Sequence, residues 1–307
     1  MSDTWPQTLE PVTGPFSAER VDGAAWGMGN HGPATVSVAE SGFVPPDLMT
    51  GFTLFLLARQ SRRPRPDGAQ KASAIAGGVW VREQVTYHRP IGRTDPFVVT
   101  GESTGRYIRK GRRYGTTRSQ THDSAGEPVA TNLTTGLLAY KVEDGLDDEV
   151  EGLPVEDTPG PDPEWEAAAA NPHLDALAGA TVGQTLGGEP MTVSLAMMQA
   201  RDTANPDNPI HSSQEEAEKA GLTAPIAGGS HVQSFALELL MVQWGPEVLL
   251  HGALVDCRWR APTHAGTAIV PTAEVTAVEP DRVEVAIQVD LESGPTAMVG
   301  TVVIPLP

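Results

Sequence analysis

The most constraining feature of this chain is a run that cannot be core. Between Glu143 and Glu166 the sequence EDGLDDEVEGLPVEDTPGPDPEWE carries 11 acidic residues and no basic one, and it is rich in Pro and Gly. Like charges packed this densely repel one another, and little apolar surface is left to bury. The segment reads as an exposed linker. It places residues 1–150 in one domain, 151–164 in the linker and 165–307 in a second domain. A chain of 307 residues suits two domains of about 140 residues each.

The two pieces share a plan. In the first, GFVPPDLMTGFTLFLLARQ (Gly42 to Gln60) opens on a proline pair, with Asp47 placed to complement a first-turn dipole. The run that follows is apolar on nearly all sides, as a buried central helix would be. Strand-like segments come next: GVWVREQVTYHRPI, FVVTGESTGRYI, YGTTRSQTHDSAGEPVA and TNLTTGLLAYKV, the third broken by a D-S-A-G-E turn. In the second piece VSLAMMQARDT and EEAEKAG read as short helices, and SHVQSFALELLMVQWG reads as an apolar helix between glycines. Four more strand candidates follow: LLHGALVDCRWRAPT, AIVPTAEVTAVEP, RVEVAIQVDLES and PTAMVGTVVIPL. YHRPIGRTDPFVVTGEST also resembles WRAPTHAGTAIVPTAEVT in layout: aromatic, Arg, Pro, turn, alternating strand. Helix-then-strands occurring twice in pieces of equal size predicts an internal duplication and an α+β class.

Composition narrows the function. A formal net charge of −18 repels phosphate at long range, so no nucleic-acid partner is expected. The one cysteine, Cys257, cannot form an intramolecular disulfide, which fits a reducing cytoplasm. MSDTWPQTLEP lacks a basic segment followed by an apolar run, so no secretory signal is expected. The longest apolar stretch, FALELLMVQW, is too short to cross a bilayer and carries Glu238. A soluble cytoplasmic protein without a membrane partner is the expectation. The histidines show no metal-ligand spacing, G-x-S-x-G is absent, and no G-x-G-x-x-G follows a strand, so neither metal nor cofactor is expected.

The chemistry concentrates between Asp202 and Phe235. His211 lies two residues after Pro209, Asp207 lies four before His211, and Gly228-Gly229 opens the apolar helix. An Asp/His pair can hold and deprotonate a water. A backbone N–H at a helix start, helped by the dipole, can meet developing negative charge.

This stretch resembles the signature of the MaoC-like (R)-specific enoyl-CoA hydratases, usually D-x-N-P-[IVL]-H followed by P-I-x-H-G-M. Here Asn208, Pro209, Ile210 and His211 keep N-P-I-H, and Pro225 to Ser230 read PIAGGS. The resemblance implies two tandem hot-dog domains, each an antiparallel sheet wrapped around a central helix, with the catalytic motif in the second. It implies a lyase of lipid metabolism acting on acyl-CoA thioesters without a cofactor, with a homodimer allowed. Carried over by position, His211 is the catalytic histidine, Gly229 the oxyanion glycine, and Asn208 with Pro209 the turn presenting the histidine. Three positions depart. The family Asp, five residues before the histidine, is Pro206; Asp207, one residue later, is the expected catalytic carboxylate, with Asp202 or Asn205 substituting for it if the loop bulges. The His and Met flanking the oxyanion glycine are Gly228 and Ser230, and the acidic residue two places after the histidine is Ser213. Ser230 and Asn208 are expected to contact substrate, while His231 reads as a core histidine.

A basic cluster at Arg106, Arg109, Lys110, Arg112 and Arg113 sits at a predicted strand-to-strand turn. Arginine binds phosphates well, so Arg109 and Arg112 are candidates for the coenzyme A phosphates, although a solvated hairpin offsetting the acidic linker explains them too. Arg258 and Arg260, on either side of Trp259, are candidates to flank the thioester. Two rival functions stay open: a non-catalytic hot-dog subunit completing a partner hydratase, and a hot-dog acyl-CoA thioesterase.

Overall fold

The alternating segments form strands, and the long apolar run of each half forms a helix beneath them. The computed structural model describes residues 5–61, 79–138, 142, 145, 147–152, 171–202 and 208–306, and the side chains of 58–61 are excluded from that description. The first half contains β1 (Gln7–Thr8), β2 (Val12–Thr13), α1 (Ala18–Gly27), α2 (Pro33–Glu40), α3 (Pro46–Met49), α4 (Phe52–Ser61), β3 (Val79–Tyr87), β4 (Phe97–Arg109), β5 (Arg112–Asp123), β6 (Pro128–Leu137) and β7 (Glu149–Gly152). The second contains α5 (Leu174–Leu177), β8 (Thr185–Gly187), β9 (Met191–Val193), α6 (Leu195–Asp202), a 3-10 turn at Pro209–His211, α7 (Gln214–Lys219), α8 (Gly229–Trp244), β10 (Leu254–Trp259), β11 (Thr267–Glu279), β12 (Arg282–Leu291) and β13 (Thr296–Pro305).

All the described strands join one antiparallel sheet of thirteen, in the order β1-β4-β5-β6-β3-β10-β13-β12-β11-β8, with β2 and β7 also on β4 and β9 on β11. Each half contributes its own strands, and the halves meet where β3 pairs with β10, Glu83 lying opposite Cys257. This is the sheet-and-helix plan anticipated from the repeat, now as one continuous sheet. Within the acidic run, Glu149–Gly152 form β7 on the edge of the first half, all four residues exposed. Like charge keeps a strand solvated and does not prevent it from pairing along one edge.

Helix α8 explains why the second half holds together. Phe235, Leu237, Leu240, Met241 and Trp244 are buried on it, each worth about 1.5–3 kcal/mol of transfer free energy. It ends at Gly245, whose φ of +114° suits glycine, and a Cβ there would lie 2.1 Å from the His173 ring. The first half divides its helical run. Where the sequence predicts one helix from the proline pair onward, the chain forms α3, then Thr50 and Gly51, then α4. Thr50 caps α3, and Gly51 has the lowest propensity in the run to continue it.

Polar contacts, buried and half-buried, tie the halves together. Glu238 of α8 accepts bonds from the backbone N–H of Ala34 (2.5 Å) and Thr35 (3.0 Å), capping α2 of the other half. On the opposite sheet face Arg82 grips Asp256 with two bonds, at 3.0 and 2.7 Å. None of the described helices is long and apolar enough to cross a membrane.

Candidate active site

His211 ends the short 3-10 turn that Asn208 and Pro209 begin, and Pro209 at its first position suits that start. Ile210 is buried beneath the turn, packed with Ala217, Leu222 and Ile226, so the histidine is anchored from below. Its Nδ1 lies 2.7 Å from the carbonyl oxygen of Ile226. A carbonyl can only accept, so Nδ1 carries the proton and Nε2 presents its lone pair. The Asn208 amide donates to that Nε2 at 3.3 Å. Burial holds His211 below the usual imidazole range, the carbonyl bond opposing this more weakly. The ring is therefore neutral at physiological pH, with a fixed tautomer and a basic nitrogen.

That nitrogen faces the beginning of α8. A Cβ built on Gly228, the N-cap, would lie 3.8 Å from Nε2. No side chain caps the helix, and the first intrahelical donors are His231 and Val232, both bonding to the Gly228 carbonyl. The amides of Gly229 and Ser230 thus begin the helix at its positive end. Gly229 is a glycine for a packing reason as well. Its Cβ would fall 3.0 Å from Trp259 and 3.1 Å from Trp80, whose rings pack 5.7 Å apart. Trp259 also donates its indole N–H to the Gly229 carbonyl at 3.0 Å.

These groups open on a cavity of about 310 Å³ walled by both halves. Asn208, His211 and the Gly228–Ser230 helix start form its polar end. The first half adds Leu54 and Leu57 of α4, Val79 and Trp80 of β3 and Leu137 of β6. Beneath it, Arg201 of α6 pairs with Asp47 of α3 and donates to Ser230 Oγ at 3.3 Å. Both members of this ion pair are buried, so it locks α6 against α3 and α8. Asp202, the next residue, also lines the cavity and accepts a bond from Ser212 Oγ.

The candidate residues divide. His211, Gly229, Asn208, Ser230, Arg112 and Arg260 line this cavity, and Arg106 joins them. Arg109 does not: it sits exposed at the tip of the β4–β5 hairpin, whose turn residue Lys110 donates its N–H to Asp148 at 2.9 Å. The contact observed there is this backbone bond to the acidic segment. Arg258 does not line it either. Strand alternation turns Arg258 to the face shared by Asp256 and Arg82, opposite Cys257 and Trp259, whereas Arg260 lies past the end of β10 and turns inward. Asp207 lies outside the described residues, as does Asn205. His231 is a core residue, its Nε2 donating to the Gly27 carbonyl at 2.7 Å, with burial pushing it down to about 3. The sequence reading passed over Trp80, Trp259 and the Asp47–Arg201 pair. Period-two alternation in β10 could have singled out Trp259; nothing in the sequence joins residues 47 and 201.

No family model matches the sequence, and no curated protein matches it at the sequence level. Solved structures do match along the whole chain. A MaoC-like dehydratase superposes with a TM-score of 0.69 at 18% identity, covering 98% of both chains. A conserved protein of Mycobacterium tuberculosis described as having a double hot-dog fold superposes with a TM-score of 0.62 at 14% identity, over 98% of this chain and 97% of that one. The chain has the double hot-dog fold. A MaoC-like dehydratase from Phytophthora capsici shares this double hot dog with a TM-score of 0.64 at 16% identity, over 98% and 97% of the two chains. At these identities the likeness is one of fold, and the chemistry rests on the residues of the double hot dog described above.

Proposed function

We propose that this protein hydrates 2-enoyl-CoA thioesters, or runs the reverse dehydration of 3-hydroxyacyl-CoA. One observation carries the reading: a neutral histidine, pinned through Nδ1 on the Ile226 carbonyl, turns Nε2 toward a cavity at the uncapped start of a buried helix. Hydration needs these two groups together. Nε2 of His211 takes a proton from water as the water oxygen bonds to C3 of the substrate. Electron density then moves through C2 onto the thioester oxygen, where the Gly229 N–H and the helix dipole stabilise it. A proton reaching C2 completes the addition.

The rest of the cavity suits the rest of such a substrate. Leu54, Leu57, Val79, Trp80 and Leu137 give an acyl chain an apolar wall. Arg106, Arg112 and Arg260 offer guanidinium groups to the coenzyme A phosphates. On this reading the C-terminal domain carries the chemistry and the N-terminal domain, without the motif, shapes the acyl pocket.

The test follows loss of the enoyl-thioester absorbance with crotonyl-CoA and longer or ring-bearing enoyl-CoA substrates. Wild type is expected to consume at least one of them, and His211→Ala to lower kcat by about 10²–10⁴-fold. No turnover of any substrate, or a His211→Ala variant as fast as wild type, sinks the reading. Release of free thiol from saturated acyl-CoA marks a thioesterase instead, because hydration leaves the thioester intact. Activity appearing only with a second hot-dog protein marks a completing subunit.

A further inference from the structure

We propose that Asp202, at the C-terminal end of α6, is the second proton-transfer group of this site, in place of a carboxylate on the loop before Asn208. The inference rests on the hydratase reading and assigns a group which that reading leaves unnamed. Three observations support it. Asp202 lines the same cavity as His211. Ser212, the neighbour of His211, donates its hydroxyl to Asp202 Oδ2, so helix and turn are joined beside the reacting centre. The other carboxylate oxygen, Oδ1, is buried and has no hydrogen-bond partner among the described residues. An unsatisfied buried oxygen costs free energy unless something occupies it, and a substrate-bound water or the substrate itself can do so.

The placement is rigid. Arg201, one residue earlier, is fixed by Asp47 of α3 and Ser230 of α8, so the end of α6 cannot swing away. The charged or titratable groups lining the same cavity as Asp202 are Arg20 of α1, the Asp47–Arg201 pair, Arg106, Arg112, His211, His231 of α8 and Arg260. Burial raises the Asp202 carboxyl to about 6, and the Ser212 bond opposes that rise. Burial also lowers His211 from 6.5. Burial thus moves the carboxyl toward holding a proton and the imidazole toward releasing one.

The step balances as follows. His211 Nε2 accepts one proton from water as the C3–O bond forms and the C2=C3 π pair shifts toward the thioester. Protonated Asp202 delivers its proton to C2 as that pair returns to form the C2–H bond. The imidazolium then passes its proton to the Asp202 carboxylate, directly or through a water, and both groups return to their starting states.

The experiment measures kcat and KM against pH for the full chain with an accepted enoyl-CoA. Asp202→Asn, nearly isosteric, is expected to lower kcat by about 10²–10⁴-fold with KM little changed. Wild-type activity is expected to fall as pH rises through the Asp202 pKa near 6. Ser212→Ala removes a bond that favours the carboxylate, so it shifts this limb to higher pH, which a merely structural role would not do. If Asp202→Asn fails to fold, Ser212→Ala decides, and an unmoved limb overturns the proposal. Asp202→Asn retaining kcat within a few-fold while His211→Ala is inactive overturns it too, and leaves the hydratase reading standing. A wild type inert toward every enoyl-CoA overturns that reading and this one with it.

Discussion

The same backbone scaffold is built twice in this molecule, and the two copies carry different residues where each helix begins. In the first half Phe43 bridges Gly92, and Val44 donates its N–H to the Ile91 carbonyl; in the second Ile226 bridges His264, and Ala227 donates to Thr263. Two residues later each chain enters its helix, at Pro46 in α3 and at Gly229 in α8. Phe43 donates its N–H to Val38, and Ile226 donates to Ile210, so Ala39 occupies the place of His211. The first copy therefore has a methyl where the second has an imidazole, and a proline, which lacks an N–H, where the second has an amide. A matched pair of scaffolds separates the positions the two halves share from those at which they differ.

The walls differ as well. Around α8 the sheet presents Val255, Val275, Val283, Val285, Ile287 and Val302, all buried hydrocarbon. Around α4 it presents Thr117, Ser119, Thr121 and Thr134, and Thr53 of α4 bonds to Ser119 at 2.8 Å and Thr134 at 3.1 Å. At the seam between halves the contrast falls on one pair, Glu83 opposite Cys257. Hydroxyls that bond to one another can be buried at modest cost, yet they contribute less than packed methyl groups. The first half gives up cohesion and keeps a wall able to border a cavity.

The helix starts offer the strongest test of this contrast. Gly229→Ala would drive a Cβ against two indole rings, with an expected loss of about 1–3 kcal/mol and a lower kcat as the amide shifts. Pro46→Ala, at the matching position, is expected to cost only about 0.4–1 kcal/mol through chain entropy. Urea unfolding compares the two, and equal losses break the comparison. Next comes Glu83, raised by burial to about 8, the bonds from Thr134 and Asn132 opposing that rise. The folded state keeps its proton where an unfolded carboxyl, near 4.5, has lost it. The stabilising contribution is therefore full below about 4.5 and is lost as pH climbs toward 8. The melting temperature should fall over that window through this group, and Glu83→Gln should flatten the slope; identical profiles contradict the assignment. The smallest effect is expected at Thr121, whose hydroxyl is buried with no partner among the described residues. Thr121→Val should raise stability by about 1 kcal/mol, whereas Val285→Thr in the second half should lower it by about 1–3 kcal/mol. A gain at both sites, or a loss at both, erases the distinction between the walls.

Much of this was legible in the sequence because it depends on local periodicity. Alternation marked eight long strands, from Val79 through Pro305, and the proline pair and glycine pair marked both helix starts. N-P-I-H located the imidazole since a proline-led turn anchored by Ile210 is a local structure. What escaped depended on partners distant in the chain. Alternation within β10 decides that Arg258 faces away while Trp259 packs over Gly229, yet which face is inner follows only from where α8 lies.

The sequence by itself determined the duplicated plan and where His211 and the Gly228–Gly229 helix start fall, because turns, strand alternation and helix starts are set by neighbouring residues. Only the tertiary structure decided that Asp47 meets Arg201, that Asp202 reaches the turn of His211, and that both halves wall one cavity. Asp47 and Arg201 lie far apart in the chain, Asp202 and Ser212 only ten residues apart, and the energies of these contacts depend on burial, which no stretch of sequence possesses before the halves close on one another.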